Sequence, residues 1–424
     1  MAFPLCNDFY YRQLLLTGRL PMPYPNKSPF ISASPNLSNE NCCEGQINRE
    51  LGSWGPICND IPYLLNLQYN NYLYGNTVDP SDDCMIGGVP YQDPSNAQNF
   101  LDIRLVSNVL DCARNCDINL LDPWGIIIIG DAIWVANAGT GLITSYNLLG
   151  MPLLPPVNVF GPYCNTAQPT GIVHNCSLTA FPLVKGPICE VATIIVATRD
   201  GTINGYNCEI DSCNSAILID NSTNCSVYTG LELVCNILYA VDFYNQSIDV
   251  YDCNLCRIML GSFKDCCLCD PIPCDFAPYN IINIGDVFYV SYARQNPIDN
   301  QYELLGPGNG YINVFTLDGV FIKRFASRGC LNAPWGIMSA PSAFGYPAGS
   351  LMVSNFGDNT ISVYDPCGVY IGKIRDRSNN EICICGVRGL YVNPNHQSIL
   401  YWTSRGNNLK NAFVGSINIG VCGC

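Results

Sequence analysis

The sequence predicts an all-β protein, a six-bladed β-propeller preceded by an extended cysteine-containing arm. Three observations carry this. A short Pro-x-Gly-Ile-like motif recurs six times between about residues 101 and 419. Each recurrence is followed by runs that alternate β-branched or aromatic residues with small or polar ones, and tight turns such as Arg199-Asp200-Gly201 and Gly357-Asp358-Asn359 join those runs.

Residues 1–100 come first and differ from the rest. They are crowded with Pro, Asn, Ser and Tyr and hold neither a helical nor an alternating apolar period, so they read as an arm. Tyr63, Leu64, Leu65, Leu67, Tyr69, Tyr72 and Tyr74 give it apolar stretches that ordinary disorder lacks.

The first copy is Pro123-Trp124-Gly125-Ile126 with the runs 132–137 and 141–146. The second is Pro169-Thr170-Gly171-Ile172 with 193–198 and 201–206, and the third Thr229-Gly230-Leu231 with 237–242 and 247–251. The fourth is Pro278-Tyr279-Asn280-Ile281 with 287–292 and 310–315, and the fifth Pro334-Trp335-Gly336-Ile337 with 350–355 and 360–364. The sixth, degenerate, is Arg388-Gly389-Leu390 with 399–404 and 415–417. A spacing of roughly 45 to 60 residues matches propeller blades rather than helical solenoids. One small sheet cannot bury both faces alone, so successive sheets stack radially, and the motif glycine allows close backbone approach where inner strands crowd the axis. A strand near Ile103 to Ser107 is expected to pair with the last blade and close the ring, which removes exposed edges. The propeller is therefore placed at 101–419, with a short cysteine-containing tail at 420–424.

Composition narrows function. The 424 residues hold 20 Lys+Arg against 34 Asp+Glu, a net charge of −14, and only 13% are charged where about 25% is usual. Nucleic-acid partners are excluded, because each phosphate contact needs Lys or Arg to displace counterions. No membrane span is expected: the best apolar run, Trp124 to Val135, is broken by Asp131. The start shows no basic segment leading into an apolar one, so no classical signal peptide is visible.

The 26 cysteines imply an oxidising destination or a metal. Disulfide candidates are Cys6, Cys42, Cys43, Cys112, Cys116, Cys253, Cys256, Cys266, Cys267, Cys269, Cys274, Cys383, Cys385, Cys422 and Cys424; connectivity cannot be read from spacing. Cys253-Asn-Leu-Cys256 also has zinc-ligand spacing, which the next cluster would complete. Aligning the copies puts Asn137, Thr198, Asp242, Tyr292, Asn355 and Ser404 at equivalent positions, read as a channel-mouth ring. No cofactor is expected; the residue types would allow Ca²⁺ on that ring, with Asp242 its only carboxylate, or Zn²⁺ on the cysteine cluster. Catalytic residues: none. His174 and His396 are the only imidazoles, neither lies in a nucleophile motif, and both read as loop or surface residues. Asn-x-Ser/Thr sequons fall at Asn36, Asn175, Asn221, Asn224 and Asn245.

Asp122-Pro123-Trp124-Gly125-Ile126, Ala333-Pro334-Trp335-Gly336-Ile337, Ser354-Asn355-Phe356-Gly357-Asp358 and Ile103-Arg104-Leu105-Val106-Ser107 resemble an uncharacterised family of six-bladed, NHL-like propellers, mostly exported bacterial proteins. The resemblance implies the fold and no activity. Abundant Asn, Ile and Tyr, many cysteines and no signal are similar to virion proteins of large DNA viruses of protists, with a bacterial or eukaryotic surface protein as the competing source. The expectation is a non-enzymatic structural or adhesive protein of a virion layer, fibre or extracellular surface coat, self-associating as a homo-oligomer or polymer and meeting other surface or virion proteins or glycans. The alternative is a propeller enzyme, a hydrolase or lyase, or a carbohydrate- or protein-binding module using the channel mouth.

Overall fold

A computed structural model of the chain describes residues 100–265, 270–393, 398–407 and 411–419. Of the expected arm only Phe100 falls among them, and the tail at 420–424 lies outside.

Six sheets follow one another in chain order. Counting strands outward from the axis, the first blade is Pro123–Ile129, Ala132–Asn137, Leu142–Asn147 and Pro152–Asn158, and the second is Pro169–His174, Ile194–Thr198, Thr202–Tyr206 and Ala216–Asp220. The third has three strands, Tyr228–Val234, Ile237–Asp242 and Ser247–Tyr251. The fourth is Phe276–Ile284, Val287–Arg294, Gly310–Thr316 and Phe321–Ser327, and the fifth Pro334–Ser339, Leu351–Asn355, Thr360–Tyr364 and Tyr370–Lys373. The sixth is Val387–Val392, Ile399–Ser404 and Phe413–Ile419, and its fourth strand is Phe100–Ser107, antiparallel to Phe413–Ile419. The ring closes where the sequence placed the closing strand. The first strand of each blade touches that of the next, and the sixth touches the first. The six-bladed all-β propeller is the fold.

Each sheet is buried on both faces, which is why its strands read as nearly continuous apolar runs. Ile127, Trp134, Ile172 and Val196 fill the junction between the first two blades. The neighbouring residues Ile126, Ile128 and Ile133 point the other way and meet Val106, Tyr401 and Val414 of the sixth.

Every first strand is bulged at the same step of the repeat motif. The motif glycines sit at that bulge. A Cβ on Gly125 would stand 2.6 Å from Thr170 O, on Gly171 2.5 Å from Leu231 N, on Gly336 2.3 Å from Arg388 O and on Gly389 2.5 Å from Trp124 O. The fourth blade has Asn280 at this step, and its Nδ2 donates to Trp335 O of the fifth at 2.9 Å. Similar bonds tie other junctions: Thr170 Oγ1 to Tyr228 O at 2.8 Å, Thr229 Oγ1 to Tyr279 O at 2.8 Å, Ser354 Oγ to Arg388 O at 2.6 Å and Thr403 Oγ1 to Trp124 O at 2.5 Å. The inner collar is thus held by backbone approach, with a polar clasp at five of its six junctions.

Candidate functional site at the propeller axis

Five of the six aligned ring residues end their second strands and Tyr292 stands two residues before the end of its own, all on one side of the disc, and each is buried. Their polar groups close the turns of their own blades. Asn137 Nδ2 donates to Leu142 O at 3.2 Å and Thr144 Oγ1 at 2.9 Å, and Thr198 Oγ1 meets Thr202 Oγ1 at 2.8 Å. Asp242 accepts from Val227 N at 3.1 Å, Asn245 N at 3.2 Å and Asn245 Nδ2 at 2.8 Å. Asn355 Oδ1 accepts from Asn332 N at 3.0 Å, Ser404 Oγ donates to Cys385 O at 2.5 Å, and Tyr292 packs in the core between the third and fourth blades.

The axis is reached instead by the residue after each of these. Ala138, Phe243, Ala293 and Phe356 join Trp124, Tyr279 and Trp335 in one buried cluster, and Arg199 and Arg405 stack on its rings. A one-residue step along a strand flips the side chain to the other face. The second position of the repeat motif supplies the rest of this plug: Trp124 and Trp335 meet edge to face at 5.8 Å, and Arg388 lies 3.7 Å over Trp124 and 4.0 Å over Phe356.

Arg388 is 2% exposed and pairs with Asp122 at 2.6 Å and with Glu303 at 3.6 Å. Burial pushes the Asp122 carboxyl up, but Arg388 and then Arg405 outweigh it and hold it below the ordinary carboxylate range. Glu303 comes from the long connection 295–309 of the fourth blade, which folds over this end of the axis. Gln295 anchors that connection by donating to Phe243 O at 2.7 Å, and Arg199 donates to Gln301 O at 2.6 Å while lying 4.0 Å from the Tyr302 ring.

Among the described residues the opposite end is open. Below the plug lies a cavity of about 310 Å³, lined by all six first strands. Two residues beyond the motif glycine, the blades contribute Ile127, Val173, Glu232, Ile282, Met338 and Tyr391, one carboxylate among apolar and aromatic neighbours. Glu232 accepts from Leu233 N at 3.0 Å and from Asn283 N of the fourth blade at 2.9 Å. Burial nevertheless dominates, and its carboxyl is pushed up to about 7.

His174 also lines the cavity, which corrects its reading as a bland loop residue; Cys176 Sγ stands 3.3 Å from its Nδ1. The signal was in the sequence as His-x-Cys at a strand end. His396 lies outside the described residues, as do Cys6, Cys42, Cys43, Cys266, Cys267, Cys269, Cys422 and Cys424. The described disulfide candidates Cys112, Cys116, Cys253, Cys256, Cys274, Cys383 and Cys385 stand as thiols, whereas Cys164, Cys225 and Cys330, which the sequence analysis did not single out, are half-cystines. Among the described residues no group of three or more His, Cys, Asp or Glu is arranged to hold a metal ion, and no helix is long and apolar enough to cross a membrane. Of the sequons, Asn175 is buried and Asn221 donates to Tyr228 Oη and Tyr251 Oη, both at 2.6 Å, whereas Asn224 and Asn245 are exposed.

No family model matches the chain. Three relatives come from Acanthamoeba polyphaga mimivirus, all uncharacterised proteins. R640 is 40% identical over 83% of this chain, which spans 64% of R640's length. R648 is 38% identical over 74% of the chain and 78% of itself, and L690 is 37% identical over 74% and 84%. Among solved structures, a Bacteroides thetaiotaomicron protein of unknown function is similar at 13% identity and a TM-score of 0.49, covering 76% of each chain. A streptogramin B lyase is similar at 12% identity and a TM-score of 0.46, covering 77% of this chain and all of its own.

Proposed function

Because the chain belongs to the family that includes the mimivirus proteins R648 and L690, we propose that it is a non-enzymatic structural or adhesive propeller, built into a virion layer, fibre or surface coat and joined to its neighbours through cysteines and the arm. One observation carries this reading: of the thirteen described cysteine thiols, nine are exposed and none is buried. Cysteine is ordinarily among the most buried residues, so a packing role is excluded for these nine. They are spread around the disc, with Cys189 and Cys213 on the second blade, Cys235 on the third, Cys367 on the fifth and Cys116 beside the closing strand. A rigid ring carrying thiols on its perimeter suits covalent links to copies of itself.

Non-reducing electrophoresis of native material tests it. Ladders that collapse with reductant, and the chain among the proteins of purified particles, are the expected results. A monomer with a complete set of alkylatable thiols removes the proposal. A second reading, a module that binds a small ligand at the axis, is favoured by the axial cavity, whose described lining carries one carboxylate, Glu232.

A further inference from the structure

The rim of the axial cavity holds a pairing that the assembly reading does not use. The first strand of the second blade ends at His174. The next residue, Asn175, is 4% exposed; its Nδ2 donates to Ala180 O at 3.1 Å and Ala192 O at 2.8 Å, and its Oδ1 accepts from Ser177 N at 3.0 Å. Ser177 Oγ in turn accepts from Ala180 N at 3.1 Å. A turn tied at this many points fixes the residues on either side of Asn175. Those are His174 and Cys176, with Sγ 3.3 Å from Nδ1. His174 lines the cavity and Cys176 is exposed at its edge. Among the described residues Tyr391 faces Cys176: burial, then Glu232 and Cys176, raise its hydroxyl against the bond it donates to Ile128 O, which leaves it a neutral neighbour.

We propose that Cys176, paired with His174, is a nucleophilic thiol that exchanges with a low-molecular-weight disulfide at the mouth of the axial cavity. The Sγ proton passes to Nδ1, leaving a thiolate beside an imidazolium. The thiolate attacks one sulfur of the disulfide; the new Sγ–S bond forms as the S–S bond breaks, and the departing thiolate leaves with the electron pair and takes the proton from the imidazolium. One disulfide is consumed and one is made, so the step needs no oxidant. A cavity of about 310 Å³ is at the small end of the ~300–1,000 Å³ of ligand pockets, and its Ile127, Ile282 and Met338 walls suit a compact apolar body.

The test is site-resolved mass spectrometry of the reduced full chain after brief exposure to 4,4′-dithiodipyridine at pH 6.5, with exposed Cys189 and Cys367 as internal standards. The imidazole raises the thiolate fraction by more than the accompanying loss of nucleophilicity takes back, so Cys176 is expected to react at least ~5-fold faster than the standards. His174→Ala should bring it down to their rate, and Cys176→Ser should remove the fast phase. Equal rates at all three cysteines in the starting protein overturn the proposal. So does an unchanged Cys176 rate in His174→Ala with the standards unaltered. Should that variant lose its fold, seen as faster labelling of both standards, His174→Gln fills the space without a titratable ring and must show the same loss.

Discussion

Replacing Gly389 by alanine probes the collar most directly. The added Cβ would lie 2.5 Å from Trp124 O, 2.7 Å from Thr403 Oγ1 and 2.8 Å from Ile126 Cγ2, about 0.9 Å short of ordinary contact with the first of these. Trp124 O is also the acceptor for Thr403 Oγ1, so the sixth and first blades cannot part without weakening their clasp. Overpacking of this kind costs about 1–3 kcal/mol. The ring from Phe100 to Ile419 has roughly 320 residues, and at about 2.1 cal/mol/K per residue that loss lowers Tm by ~1.5–4.5 °C. Gly372→Ala is the matched control: it lies in the strand Tyr370–Lys373 with nothing within 4 Å, and should leave Tm unchanged or slightly raised. Melting followed by circular dichroism reads both. If the two variants melt together within about 1 °C, the close-approach account of the repeat glycine is refuted.

Arg388→Met should cost about 3–5 kcal/mol in denaturant unfolding, because Asp122 and Glu303 stay buried without their cation; adding Asp122→Asn should recover part of the loss, and a single-variant loss below about 1 kcal/mol would remove the clasp from the energetics. Glu232 has a folded-state carboxyl raised from 4.5 to about 7, so the folded form holds the proton more tightly; its contribution to stability is complete below about pH 4.5 and is lost as pH rises through 7. Glu232→Gln should flatten that slope and leave the variant the more stable of the two above pH 7, as pH-resolved melting curves will show.

The blades were legible because each copy carries its own signature: a motif at the inner strand, then runs whose every residue is apolar or small since both faces are covered. Ring closure was legible for the same reason, Ile103 to Ser107 having strand character and no partner nearby in sequence. The plug was not. Arg388 occupies the motif position held by Trp124 and Trp335 in other blades, and its partner Asp122 lies 266 residues away. At the aligned ring positions, Asn, Thr, Asp and Ser at a strand end satisfy their own turn first. Alternation then hands the axis to the next residue, as Asn355 does to Phe356. The Cys176–His174 pair needs the Asn175 anchor to form, and that anchor reaches Ala192, across an inserted hairpin, Pro182–Lys185 and Ile188–Val191.

The closing strand also decides how the molecule bears load. Phe100, where the chain enters the ring, is the register partner of Ile419, and the pairing runs through seven residue pairs to Ser107 opposite Phe413. A force that draws the entry and exit segments apart meets these pairs one at a time from the Phe100 end, an unzipping geometry that yields early. A force on the entry segment resisted by the body of the ring loads all seven together, in shear, with the Trp402 Nε1 to Asp102 Oδ1 bond at 3.1 Å and the Phe100 to Phe344 ring contact at 4.6 Å sharing it. A tether attached ahead of Phe100 would therefore hold or fail according to the direction of pull, and the sixth blade would be the first to open.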